Sequence, residues 1–138
     1  MATFEWEFSH YSRHVPWGGD TGEGDIIVLG KDWSLAAFVW TFADSQGGTV
    51  RVTLSNASAG TQGVSAIYDP DYVDPESGEV TGATIITPLI GEAAFEGLTW
   101  GPPATPKTLS HDLIITPSGL QQFTYCWGSM TIEVGVGD

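Results

Sequence analysis

The stretch from Tyr68 to Glu79, YDPDYVDPESGE, sets five carboxylates within twelve residues: Asp69, Asp71, Asp74, Glu76 and Glu79. Calcium takes about six to eight oxygen ligands from a flexible loop, so this density makes the stretch a candidate metal cage. The spacing departs from the EF-hand loop, because the third carboxylate arrives one position late, prolines follow Asp69 and Asp74, and the glycine waits until position 78. An Asp before Pro is held extended and Ser-Gly is turn chemistry, so the stretch is expected to be a solvated loop tip between two strands.

The histidines come next. His10 and His14 have the i, i+4 spacing that places two zinc ligands on one helix face. They end a run that alternates as a strand, where four residues span about 13 Å and two imidazoles cannot share one ion. His111 and Asp112 could be a fragment of an acid–base pair, but neighbours on a strand point to opposite faces. There is no G-x-S-x-G elbow. Cys126, the only cysteine, excludes an intrachain disulfide and a cysteine-based zinc cage and is expected to be a half-buried structural thiol. The Gly-rich run from Gly18 to Gly24 lacks the Lys of a phosphate cradle and is itself acidic. No catalytic, cofactor-binding or metal-binding residue is therefore expected, and no cofactor.

Six tryptophans remain. Trp6 and Trp40 lie on alternating faces that suit a core. Trp17 and Trp100 sit beside Pro and Gly and are expected to be exposed, where an aromatic ring can anchor a ligand or a protein partner. Phe4, Trp6, Phe8, Trp17 and Trp100 form the expected partner-contact set.

The elements that must position these residues read as strands. Eighteen Gly and eight Pro divide the chain into short runs rich in Val, Ile, Thr and aromatics. Phe4, Trp6 and Phe8 share one face of the first run, with Thr3, Glu5, Glu7 and Ser9 on the other. The run from Lys31 carries Leu35, then Phe38, Trp40 and Phe42, and turns at Gly47-Gly48 into a run with Val50, Val52 and Leu54 inward. Those two runs predict a hairpin. Val64, Ala66 and Tyr68, or else Ile67, form the inner face of the strand before the acidic stretch, and Met130, Ile132, Val134 and Val136 share a face near the end. Glu92 to Leu98 is the one helical fragment, stopped by Gly97 and Gly101-Pro102-Pro103. The pattern predicts an all-β chain, a single β-sandwich over 1–138 of immunoglobulin-like or jelly-roll-like kind with one short helix. Residues 1–24, an aromatic strand followed by a Gly-rich loop, form a candidate docking arm.

Composition bounds the partners. At 41% hydrophobic and 15% charged residues, the chain lies far from the disordered class. Four basic residues against seventeen carboxylates give a net charge of −13. Nucleic acid and anionic membranes both demand clustered Lys and Arg, so neither is an expected partner. The N-terminus places acids and aromatics where a secretory signal needs a basic and then an apolar segment, and no run reaches the length of a membrane helix. Synthesis in the cytoplasm is the expectation.

In order along the chain, VLGKDWSLAAFVWTFADSQGGTVRVTL, ATIITPLIGEAAFEGLTW and LSHDLIITPSGLQQFTYCWGSMTIEVGV form a series. This series, over roughly residues 26–137, resembles small β-sandwich proteins and modules of tailed-bacteriophage virions. Gly30 and Asp32 stand for the family's Gly-Asp start, Thr49 to Leu54 for its "LT" segment, Glu92 to Leu98 for its helix, and His111, Asp112 and Leu113 for its "YDL" step. The resemblance implies a non-enzymatic structural protein of a virion, made in the host cytoplasm. It would be present in several copies and dock on other virion proteins (major capsid, portal, neck or tail) as a capsid decoration or cement protein or an adaptor. The residues alone keep a second expectation open, a carbohydrate-binding sandwich using Trp17 or Trp100 with Asp71 and Asp74.

Overall fold

Among the described residues the period-two alternation is realised in ten strands. The computed structural model describes residues 4–12, 17–19, 24–91, 93–94 and 107–133. The strands are β1 (Phe4–Glu5), β2 (Phe8–Ser12), β3 (Trp17–Gly18), β4 (Ile26–Leu29), β5 (Ala37–Ala43), β6 (Val50–Ser55), β7 (Gly63–Asp69), β8 (Ala83–Ile90), β9 (Lys107–Thr116) and β10 (Phe123–Glu133). They form two sheets packed over one core, a single β-sandwich as the alternation predicts. Of the expected helix, Ala93 and Ala94 are helical, and the rest lies outside the described residues.

The larger sheet runs β1-β10-β9-β5-β6, with β2 following β1 along the same edge of β10. The β10, β9, β5 and β6 strands are antiparallel neighbours, whereas β1 and β2 lie parallel to β10. In the smaller sheet β8 is central: β7 pairs along one side, and β4 and then β3 along the other. The two halves of the N-terminal segment thus lie in different sheets.

Aromatic side chains fill the space between the sheets. Trp17, Trp40, Phe38 and Phe42 are almost fully buried, with Leu54, Leu109, Leu113, Ile115, Ile86, Ile90 and Met130 around them. Trp17 from the small sheet meets Trp40 edge-on at 5.7 Å and Phe8 at 4.9 Å between ring centroids, which locks the sheets face to face. Each such ring removes roughly 150–250 Å² from water, worth roughly 4–6 kcal/mol of gross transfer energy at about 25 cal/mol per Å². Rings used this way anchor the fold.

Polar side chains close the core's margins. The Thr84 hydroxyl donates to the Lys31 carbonyl (2.6 Å) and accepts from the Trp33 amide (2.7 Å), pinning the loop before β5. Asn56 accepts from the Phe38 amide and donates to the Ala36 carbonyl, both at 2.8 Å, and so completes the ladder where β5 begins.

One inward assignment needs correction. Val50 is exposed, because the β5–β6 register shifts between Phe42 and Ala43. A bulge inserts one residue and reverses the facing of what lies beyond it, so Val52 and Leu54 stay inside while Val50 turns out. Leu35 is also exposed, in the turn preceding β5. For β7 the structure selects Val64 and Ala66 as inner residues and turns Ile67 outward.

Candidate functional site

The acidic stretch spends its side chains on its own turns. Asp69 accepts the Asp71 amide (3.0 Å), Asp74 accepts the Glu76 amide (2.9 Å) and the Ser77 hydroxyl (3.2 Å), and Gly78 at positive φ donates to the Asp74 carbonyl. An isolated Val73–Val80 bridge closes the base of the loop. These are local Asx turns, the chemistry of a connection between strands. Among the described residues, no group of three or more His, Cys, Asp or Glu is arranged to hold a metal ion.

Burial corrects the expected partner-contact set. Trp17 is 1% exposed, so the expectation of an exposed loop indole is overturned. The physical reason is Gly24: at positive φ it packs against the Trp17 ring so closely that a Cβ there would collide with it. Phe8 is buried too, and Trp6 is half-buried against the core. Phe4 pairs with Cys126 in the parallel ladder, and its side chain lies outside the described residues. Trp100, His14 and the His10 side chain are likewise outside them. The described parts of 1–24, the candidate docking arm, are woven into both sheets.

His111, with Thr84, is one of two buried polar side chains among the described residues. It is buried on β9 among Phe8, Phe42 and Trp40. The Trp40 indole Nε1–H donates to its Nδ1 (3.0 Å), and its Nε2 lies 2.6 Å from the Trp6 carbonyl. An indole only donates and a carbonyl only accepts, so both bonds are made by the neutral imidazole with its proton on Nε2. Burial pushes the His111 pKa down, opposed by its bond to the Trp6 carbonyl and by the charges of Glu7 and Asp112. With both ring nitrogens committed, this imidazole fastens the β1–β2 crossing to the centre of the large sheet.

Gly128 makes that crossing feasible. A Cβ at this position would strike the Trp6 backbone, so only glycine lets the segment lie directly on β10. The Trp6 amide donates to the Trp127 carbonyl (2.8 Å), and the Glu7 carboxylate accepts both the amide and the hydroxyl of Ser129. Those bonds hold the Glu7 pKa down, while a hydrogen bond with Glu7 raises that of Glu5. Cys126 is fully buried, beyond the half-burial expected, and burial pushes its thiol up to about 12, far from a nucleophile's range.

The two outer faces of the sandwich carry the open surface. On the large sheet a groove of about 630 Å³ runs between the β1–β2 crossing and the Ser45–Gly48 turn, floored by Thr41, Ser110 and Asp112 and bordered by Trp127. On the small sheet a groove of about 690 Å³ lies between the 57–61 loop and strands β7 and β8. None of its lining residues is charged. Ile27, Ile85 and Ile67 stand in one cross-strand row on this face, and Ile67 is 66% exposed.

Sequence reasoning passed over Trp127 and the small-sheet face. A signal for Trp127 existed: counting back by twos from Ile132 and Met130 through Gly128 to Cys126 puts Trp127 on the opposite, outer face. No protein-family model and no curated protein matches the chain.

Proposed function

We propose that the protein is a non-enzymatic structural component of a tailed-phage virion, a capsid decoration, neck or tail-fibre adaptor protein that acts by docking on other virion proteins. The resemblance over residues 26–137 supplies the particle, and the outer face of the small sheet supplies the docking surface. One observation carries the docking half. A chain of net charge −13 keeps the small-sheet groove free of charged side chains and exposes Ile27, Leu29 and Ile67 beside it. Isolated apolar side chains are ordinary on a surface, whereas a contiguous uncharged row marks an interaction face. The commitment of both His111 nitrogens and the burial of Cys126 support a role without covalent chemistry.

Mass spectrometry of purified particles tests the first half: the protein should be present in stoichiometric amounts, and its absence from particles overturns the virion assignment. Ile27→Glu with Ile67→Glu tests the second. Both residues are exposed, so the variant should fold and melt near the wild type yet fail to associate with particles. Undiminished association removes this face from the interface.

A further inference from the structure

We infer a second binding site, for a neutral saccharide, in the groove on the outer face of the large sheet, with the Trp127 indole as its stacking platform. Trp17, Trp33 and Trp40 are buried and Trp6 is half-buried in core contact, whereas Trp127 is 42% exposed. The ladder registers place Glu5, Trp127, Asp112 and Thr41 side by side on β1, β10, β9 and β5. Adjacent strands lie about 4.8 Å apart, so a carboxylate residue stands one strand away on each side of the indole. A pyranose stacked by its apolar face on Trp127 would direct its rim hydroxyls toward both carboxylates.

Among the described residues no group of three or more His, Cys, Asp or Glu is arranged to hold a metal ion, and the remaining groups of the groove can hydrogen-bond a polyol. Glu5 and Glu7 hydrogen-bond to each other, and Glu7 is fixed by Ser129. The two carboxylates offer acceptors to sugar hydroxyls. The hydroxyls of Thr41 and Ser110 extend the donor and acceptor surface along the groove. Its volume of about 630 Å³ falls within the range of ligand-binding clefts and has room beyond a single sugar ring. The expectation of a sugar-binding sandwich thereby moves from Trp17, which is buried, to a different ring with different carboxylates. The site lies on the other sheet from the proposed docking face, so either assignment can fail alone.

The test uses the full chain, titrated with cello-, xylo-, malto- and chito-oligosaccharides at up to millimolar concentration, with tryptophan fluorescence and isothermal calorimetry as readouts. At least one series should bind. Trp127→Ala should weaken it by about tenfold or more, the loss expected for one aromatic stacking contact. Asp112→Asn should weaken it by a smaller factor, and Ile67→Glu should leave it unchanged. Because Trp127 lies on the surface, its alanine variant should keep the wild-type melting temperature. A Lys- and Arg-rich peptide is the rival probe. Binding of that peptide but no saccharide overturns the inference, as does absence of saccharide binding or binding that survives Trp127→Ala.

Discussion

The two outer faces of this sandwich are built by the same alternation and end with opposite chemistry. On the large sheet the wet positions hold Glu5, Asp112, Thr41 and a half-exposed indole, and the β1–β2 crossing raises a wall beside them. On the small sheet the corresponding positions hold Ile27, Ile85, Ile67 and Leu89, with no wall beyond a short loop of small residues. Alternation constrains only the inner face. What the outer face carries is free to follow its partners, so the contrast is where function should be sought.

The largest effect should come from breaking the wall of the large-sheet face. Gly128→Val forces a branched side chain into the Trp6 backbone, displacing the crossing and its bond to His111. A loss of about 3 kcal/mol or more is expected in urea unfolding. A near-neutral result would mean that the crossing is not seated on β10. Next, Trp40→Phe removes the indole donor and leaves His111 Nδ1 buried without its partner. About 2 kcal/mol should be lost, combining that unpaired atom with the smaller ring.

A third prediction concerns acid. The folded state holds the His111 pKa below its ordinary value of about 6.5, so the unfolded chain takes up a proton that the fold resists. This contribution is fully present above about pH 6.5 and declines as the pH falls from there toward the lowered folded pKa, at no more than about 1.4 kcal/mol per pH unit. His111→Gln should be less stable throughout, and its stability should vary less with pH over that window. An unchanged pH profile would show that His111 is not the group responsible.

The smallest effect lies at an edge of the contrast. Arg51 grips Asp44 with both forks (2.9 and 2.6 Å) and Lys107 reaches it at 3.3 Å, which lowers its carboxyl to about 2. Its stabilisation is present above the unfolded carboxylate range, near 3.9, and is lost as the pH falls toward about 2. The cluster is solvent-exposed, so Asp44→Asn should lower the melting temperature only slightly, and less still in high salt.

Much of the fold was legible because alternation is local. Phe38, Trp40, Phe42, Val52 and Leu54 follow from spacing alone, as does the hairpin that joins them. Val50 was misplaced because a bulge is a ladder property that no single strand declares. Trp17 was misread because Pro, Trp and Gly-Gly in sequence suggest an exposed turn. Its burial depends on Gly24 and on Phe8 and Trp40 arriving from other strands. Trp127 could be placed by parity, but its acidic neighbours come from β1 and β9, distant in sequence. The acidic stretch was the most readable segment, since its turns are closed by side-chain hydrogen bonds between residues at most three apart.

The seating of the N-terminal crossing also dictates an order of events during synthesis. Trp6 meets His111 across 105 positions, and Glu7 meets Ser129 across 122. Strands β1 and β2 therefore wait for β10 before they acquire a strand partner. Such delayed pairing is slow and open to wrong partners. The sandwich closes like a clasp, with β1 and β2 fastened by β9 and β10.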